Sequence, residues 1–504
     1  MDKYGLRDVM RDPPCSEQDL GHPLPDSDYA VSVSLPRWKH VIGYEEGDPS
    51  VLERLRTGYP RFFVPRIVRH LEKTCLKDFG AASGERCKIF PDELTASRCA
   101  EYIRERADGW SVRVDALGSK AAFAVIFPEK IHQVATDYWR YCGEGVSGRH
   151  AAFLLGQSEQ MQEEGRDACA ELRSRIASDC GQHSEDALLF PSGMAAVAAV
   201  QRALSSLAPG KRSVQFDFPY VDVLRTQREL GEGSVFLPLG NADALVELKR
   251  IVHGGEPPCG VFCELPSNPL LRSVDLAAIA EITRPAGVPL VVDDTVATNV
   301  NVDVFEYADL VTTSLTKYFS GKSDVLAGAI ILNNSSPFVD RLRNALVNEN
   351  GNGLWDGDAI ALLENSRDYH NRMQRVNETA PKLVSWLEEH PAVERVWYPT
   401  GETRACYDQV RRSGGGYSGL FSLLLKDAEI KSPVFYDALR ICKGPSLGAN
   451  FSLACPYMLL AHYQELDWCE GLGISRWLLR VSVGLEGFNE LRSRIESGFA
   501  AIGY

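Results

Sequence analysis

Residues 187–206 read ALLFPSGMAAVAAVQRALSS, residues 288–297 read VPLVVDDTVA, and residues 310–318 read LVTTSLTKY. Each begins with an apolar run too short for a helix and then turns at once to small or charged residues. Ala187–Phe190 reads as a strand and Met194–Ser206 as the helix behind it. Working outward, Val214–Phe218, Val235–Leu239, Gly260–Leu265, Val288–Val292, Leu310–Thr313 and Gly328–Leu332 are further strands. A helix from about Asp222, and helices Ala242–Val252 and Leu276–Thr283, lie between some of them. Strands alternating with helices predict an α/β domain whose largely parallel sheet is covered on both faces. Such sheets bind ligands at the carboxyl ends of their strands, so the residues just after each apolar run are the ones to examine.

The flanks read differently. Residues 1–60 are rich in Pro, Asp and Gly with little apolar periodicity, and predict an extended arm that needs another surface to pack on. Residues 90–142 predict a small α/β insert of unknown function: helix Asp92–Ala107, strands Trp110–Val114 and Ala121–Phe127, helix Pro128–Tyr141. A helical stretch from Asp358 to Leu387 leads to a smaller C-terminal domain with strands Leu420–Leu425 and Trp477–Val483. The Gly414-Gly415-Gly416 run lacks the helix start and lysine of a phosphate loop and reads as a turn. These boundaries divide the chain into an arm (1–89), the insert with its linker (90–150), the main α/β domain (151–345), and the linking helix with the C-terminal domain (346–504).

Composition narrows the function. Of 504 residues, 54 are basic and 68 acidic, a net charge of −14, which argues against nucleic acid or an anionic membrane as the main partner. The N-terminus has no apolar signal region and no run approaches the ~18 apolar residues of a membrane span, so the default expectation is a cytoplasmic protein. The 13 cysteines form no CxxC pairs and the 10 histidines do not cluster near Cys259 and Cys263. They predict free structural thiols and no metal site.

Three strand ends carry chemistry. Phe190-Pro191-Ser192-Gly193-Met194 is a common turn, and equally an anion site where glycine admits a ligand to a helix N-terminus. Asp293, closing Val291-Val292-Asp293, is a helix cap or metal ligand on one reading and the counter-ion of a protonated ring nitrogen on the other. Lys317 follows Ser314 and Thr316; a lone lysine is usually a solvated surface charge. A Schiff-base lysine, an acidic partner for a pyridine nitrogen and a phosphate cup are together what pyridoxal 5′-phosphate (PLP) requires.

With these residues in view, the chain resembles the PLP-dependent Cys/Met-metabolism family, and within it the fungal cystathionine γ-synthase branch. The matching stretches are LLFPSGMAAVAAV (188–200), FPYVDVLRTQRELG (218–231), CELPSNPLLRSVDL (263–276), VVDDTVATNV (291–300), TTSLTKYFSGKSDVLAG (312–328), SLGANFSLACPYMLLAHYQELDW (446–468) and LLRVSVGLEG (478–487). AVSVSLPRWKHVIGYEEGDP (30–49) and TGYPRFF (57–63) are similar as well. The resemblance implies the type I PLP-dependent transferase fold, aspartate aminotransferase-like, with residues 151–345 as the PLP-binding domain. It implies that Lys317 holds the cofactor and shuttles protons, that Asp293 pairs with the ring nitrogen, that Asn268 bonds the ring hydroxyl and that Tyr220 stacks on the ring. Gly193, Met194, Ser314 and Thr316 would bind the phosphate. Tyr59 and Arg61 would reach into a neighbouring subunit's phosphate site, making the protein a homo-oligomer, a dimer of dimers. Arg480, with Ser446, would hold the substrate α-carboxylate.

The implied reaction on small amino-acid substrates is γ-replacement on an O-acyl-L-homoserine, O-acetyl favoured, through a vinylglycine-type intermediate captured by cysteine. Capture by a carbon or nitrogen nucleophile in secondary metabolism, a cystathionine lyase, and a non-catalytic module of the same fold are the alternatives. Two departures stand out. Ala449-Asn450-Phe451 replaces a segment with a glutamate in bacterial members, and the arm lacks the usual Asn-Pro-Thr-Arg after Tyr59-Pro60-Arg61-Phe62-Phe63.

Overall fold

A computed structural model describes residues 7–118, 122–159, 161–349, 351 and 353–504. The beginning of the arm before Arg7, and Ala121 at the start of an expected strand, lie outside these residues.

Seven strands form the central sheet: β4 (Ala187–Phe190), β5 (Ser213–Phe216), β6 (Ser234–Leu237), β7 (Val261–Glu264), β8 (Leu290–Asp293), β9 (Leu310–Thr313) and β10 (Gly328–Leu332), in the order β4-β10-β9-β8-β7-β5-β6. Neighbours from β9 to β6 are parallel, and β10 runs antiparallel to β4 and β9. The strands are apolar on both faces. Val261, Leu290, Val292, Ala329 and Ile331 pack into one buried cluster. Their alternates Phe262, Val291 and Ile330 pack into another with Ala195, Ala199 and Leu342. Residues two apart share a face, so continuous Val/Ile/Leu runs suit a sheet covered by helices on both sides. The ends of β4, β5, β7, β8 and β9 then open on one edge.

The helical stretch before the C-terminal domain is two helices, Asp356–Asn365 and Tyr369–Glu388, rather than one. At the break Asp368 accepts from Arg372 Nε at 2.7 Å, and the buried Arg372 guanidinium donates to the carbonyls of Tyr318 and Phe319, both at 2.7 Å. The break therefore clamps the loop that carries Lys317. The C-terminal sheet has five strands, β11 (Val393–Trp397), β12 (Leu420–Leu425), β13 (Cys442–Lys443), β14 (Leu453–Pro456) and β15 (Leu479–Ser482), ordered β11-β12-β15-β14-β13. The triple-glycine run is a turn, with Gly415 N donating to Arg412 O at 2.9 Å.

The flanks depart most from the sequence reading. Strand β1 (Glu85–Phe90), which falls in the stretch read as arm, pairs antiparallel with β3 (Ala122–Pro128), and β3 pairs with β2 (Arg113–Leu117). The small unit thus takes in residues before 90. The arm packs on its own chain: Leu35, Trp38, Val41 and Leu55 enter the core of the C-terminal domain beside Leu383, Phe421 and Tyr436, and Trp38 stacks on Trp477 with ring centroids 5.8 Å apart.

Gly328 marks a close approach. A Cβ there would meet Ser192 O at 2.3 Å and Gly193 Cα at 2.6 Å, both of them backbone. We expect Gly328→Ala to cost about 1–3 kcal/mol, the usual range for forcing a methyl group into a packed site, as a lowered urea midpoint. An unchanged midpoint would contradict this packing.

Candidate active site

A cavity opens at the carboxyl edge of the central sheet, between it, the arm and the C-terminal domain. Tyr59, Arg61, Gly193, Met194, Tyr220, Asn268, Asp293, Ser314, Lys317, Ser446 and Arg480 all line it. Thr316 is the exception to the expected set. Its hydroxyl donates to Ala327 O at 3.2 Å and accepts from Ala327 N at 3.0 Å, tying the lysine loop to the start of β10. It is thereby a loop fastener, not a lining residue.

Lys317 is buried, 9% exposed, so its charge is poorly solvated. Burial pushes its pKa below 10.5, while Tyr59 raises it and Arg480 and Arg61 lower it further. Its Nζ donates to Ser446 Oγ at 2.9 Å and lies 4.4 Å from the centre of the Tyr59 ring. Ser446 holds φ at 90°, a region that non-glycine residues rarely occupy. Such strain persists where the surroundings over-determine it: here the Ser446 carbonyl accepts from Arg480 Nη2 at 2.8 Å while its hydroxyl meets Lys317.

Asp293 ends β8 and faces the cavity. Oδ1 accepts from Thr295 N at 2.9 Å and Oδ2 from Thr312 Oγ1 at 3.4 Å. Burial raises its pKa, and the threonine hydrogen bonds oppose that rise. Beside it Glu264, at the end of β7, accepts from the Tyr220 backbone. Burial and then the Asp293 charge push Glu264 well above the carboxylate range.

The helix Gly193–Leu207 begins at the cavity. Ser192 caps it, accepting from Ala195 N at 3.0 Å. A Cβ on Gly193 would meet the Ser314 side chain at 2.8 Å, so glycine lets the β4 and β9 loops converge. The first N–H groups of a helix lack intrahelical partners and favour an anion.

Arg480, on β15 and 5% exposed, has an unusual environment. It donates to Asn268 Oδ1 at 3.1 Å and to Ser446 O, and its guanidinium lies 4.4 Å from the centre of the Tyr457 ring. Among the described residues no carboxylate forms an ion pair with it. A buried guanidinium without an anion is costly unless a ligand supplies one. Asn268 also donates to Tyr457 Oη at 3.1 Å, so its amide is partly committed to orienting Arg480 and Tyr457.

Sequence reasoning missed Tyr457, Glu264, Asp222 and Arg372. Tyr457 lies inside the quoted 446–468 stretch, yet nothing local distinguishes it from a core aromatic. Phe451, at the departure from the bacterial pattern, packs with Leu24, Cys442 and Leu453 instead of lining the cavity.

A buried amine on one strand end, an acid on the next and an anion-ready helix start on a third define an enzyme site built to hold an aldehyde cofactor with a phosphate tail. Comparison with known proteins agrees. The model described as Cys/Met metabolism PLP-dependent enzyme matches residues 171–500, and that described as fungal trans-sulfuration enzyme, N-terminal domain, matches residues 67–147. A cystathionine gamma-synthase of Neurospora crassa is 33% identical, covering 94% of this chain and 96% of that protein. An L-2-amino-4-chloropent-4-enoate dechlorinase/desaturase of Streptantibioticus cattleyicolor is 35% identical, covering 92% and 95%. A crystal structure of cystathionine gamma synthase from Xanthomonas oryzae pv. oryzae, with aminoacrylate and cysteine, superposes with a TM-score of 0.59 at 26% identity, over 69% of this chain and 90% of that one.

The chain belongs to the Cys/Met metabolism family of PLP-dependent enzymes. Its fold is the type I fold of PLP enzymes, and its cofactor is PLP. The residues present fit that group: an amine with a lowered pKa, a facing acid, and a glycine-opened helix N-terminus. Borohydride treatment of the yellow holoenzyme should fix the cofactor to the peptide containing Lys317, as read by mass spectrometry; a label on any other lysine would refute the assignment.

Proposed function

We propose that the enzyme carries out γ-replacement on an O-acyl-L-homoserine with a neutral acyl group, O-acetyl-L-homoserine in the first instance, with cysteine as the incoming nucleophile. One observation carries the choice of substrate: the charge inventory of the cavity. Its lining cations are Lys317, Arg61 and Arg480. Lys317 is the cofactor's lysine on this reading, and Arg61 is paired with Asp222. Arg480 remains for one carboxylate, that of the amino acid. A leaving group with a second carboxylate would find no unpaired cation among the described lining residues, and burying it alone is unfavourable. The similarity to a cystathionine gamma-synthase supports the same reading.

The residues have the following parts. Arg480 holds the substrate carboxylate with its planar fork, and Asn268, the Ser446 carbonyl and Tyr457 fix that fork in place. PLP, when bound, supplies the sink for electrons released as the Cα proton leaves. Lys317, its charged form disfavoured by burial, is placed to accept the Cα proton at Nζ, to help move one from Cβ as the Cγ–oxygen bond breaks, and to return a proton to the departing oxygen, with Ser446 Oγ steadying it between transfers. Asp293 faces the cavity from the end of β8, where its carboxylate form would favour a protonated ring nitrogen. Tyr59 and Tyr220 wall the cavity and exclude water.

A second reading keeps the first half and changes the nucleophile to carbon or nitrogen. The similarity to an enzyme named for dechlorination of a chloropentenoate amino acid supports a different outcome after a shared first half.

Two measurements check these readings. Purified enzyme given O-acetyl-L-homoserine and a panel of nucleophiles should form cystathionine fastest with cysteine and turn over O-succinyl-L-homoserine at least tenfold more slowly. Preference for the succinyl ester would overturn the charge argument, and preference for another nucleophile would select the second reading. Arg480→Ala should retain PLP and lose about 10²–10³-fold in kcat/KM, as expected for removing one partner of a buried ion pair. Unchanged substrate affinity would remove Arg480 from its role.

A further inference from the structure

Tyr457 completes the Arg480 site from the start of a very short helix, Tyr457–Ala461, entered directly from β14. A helix of this length is not stable on its own, so whatever holds the far end of the turn also holds Tyr457. That far end is His462, whose N donates to Met458 O at 2.9 Å. The His462 side chain is buried, and its Nδ1 lies 3.3 Å from Glu465 Oε2. A carboxylate oxygen only accepts, so Nδ1 is the ring nitrogen that donates.

The other oxygen of Glu465, Oε1, accepts from Arg225 Nη2 at 3.0 Å. Arg225 belongs to the main domain, on the helix Val221–Glu229 that begins directly after Tyr220. One carboxylate thus joins the turn behind Tyr457 to the helix behind Tyr220, two tyrosines that line the cavity, one from each domain. The hydrogen bond from His462 and the Arg225 charge hold the Glu465 carboxyl down at about 2 against the opposing effect of burial, so it is ionised throughout the neutral range.

Apolar packing closes the same joint. Phe218, two residues before Tyr220, and Leu270, two residues after Asn268, enter a buried cluster otherwise made by C-terminal residues, Tyr457 and Met458 among them. The Phe218 ring lies 5.2 Å from that of His462 and 5.9 Å from that of Trp468, and Trp468 also packs on Phe236 at 5.8 Å. Aromatic pairs at such separations fix relative position as well as burying area. Next to Asn268, Pro269 O accepts from Ser422 Oγ on β12 at 2.7 Å.

The joint governs the carboxylate fork. Tyr457 presents its ring to the Arg480 guanidinium and its hydroxyl to Asn268 Nδ2, while Asn268 Oδ1 accepts from Arg480 Nη1. Asn268 comes from the main domain and Tyr457 and Arg480 from the C-terminal one, so the fork takes its shape from the way the two domains meet.

We propose that Glu465, gripped by Arg225 and His462, is the positioning residue of the substrate-carboxylate site: it sets Tyr457 against Asn268 and Arg480 and so determines how tightly the enzyme holds its amino-acid substrate. Arg225 and His462 act through it. The inference rests on Arg480 holding the amino-acid carboxylate and is independent of acyl group and nucleophile.

The test uses the holoenzyme and L-norvaline, an amino acid without a leaving group, whose binding is followed by the change in the visible absorbance of the cofactor. Glu465→Ala should weaken norvaline about threefold to tenfold, the order of one hydrogen bond. PLP affinity should stay unchanged, because Gly193, Met194 and Ser314 lie outside the joint. A loss shared equally by PLP and norvaline would mean general loosening and would overturn the proposal, as would unchanged norvaline affinity. Arg225→Met should weaken norvaline about twofold to fivefold, since the ion pair is partly exposed, and Arg225→Lys should recover most of that loss. Equal loss in both would point to packing alone and reject the role of the charge. The double variant Glu465→Ala with Arg225→Met should bind norvaline no more weakly than Glu465→Ala, because both changes remove one shared interaction; losses that multiply would break the link. Should Glu465→Ala fail to fold, Glu465→Gln, which keeps an acceptor and drops the charge, takes its place with a loss of about threefold expected. Arg480→Ala separates the two levels. If it binds norvaline like the wild type, the carboxylate assignment fails and the proposal with it; if it loses norvaline while Glu465→Ala does not, the joint alone fails.

Discussion

The site depends on one arrangement, an amine taken out of water. Lys317 is buried where the arm, the central sheet and the C-terminal domain converge. Tyr59 lies over it, the loop after β9 carries it and the strained Ser446 accepts its hydrogen bond. No carboxylate among the described residues pairs with it, so burial disfavours its charge. Every other device converges on keeping it there. Arg372 fastens the backbone behind it, Thr316 ties its loop to β10, and Arg480 fixes Ser446 from the other side.

The same arrangement separates two anion sites by the partners of their arginines. Arg61 is neutralised by Asp222 and belongs to the frame. Arg480 is buried against neutral acceptors and an aromatic face, and is the group left wanting a negative charge. That asymmetry leaves Arg480 as the lining guanidinium without a carboxylate partner among the described residues, the observation on which the proposed choice of substrate rests.

Much of this was legible in the sequence because strand ends in a parallel sheet are local features. The runs before Ser192, Asp293 and Lys317 named their strands, and the polar residues after them fell on one edge. What was not legible depends on partners far along the chain. β1 lacked a clear pattern of its own and is a strand because β3 pairs with it. The resemblance implies a phosphate role for Thr316, and nothing local to it announces that its hydroxyl also bonds Ala327 on the far side of the loop. The arm's poor periodicity correctly signalled that it needs another surface. It could not say whose surface, because Leu35 and Trp38 find theirs some 400 residues later, at Lys443 and Asp437. Asp222 gave no signal, since its buried pairing with Arg61 is recognised only once both ends are placed.

The most direct test of the buried amine is the pH dependence of PLP capture by cofactor-free protein. A Schiff base forms only from an unprotonated amine, so with Lys317 as the proposed amine the association rate should rise as it loses its proton. The account predicts an inflection clearly below the ordinary lysine value of 10.5, with capture abolished in Lys317→Ala. An inflection at or above 10.5, or capture that survives the loss of Lys317, would contradict it.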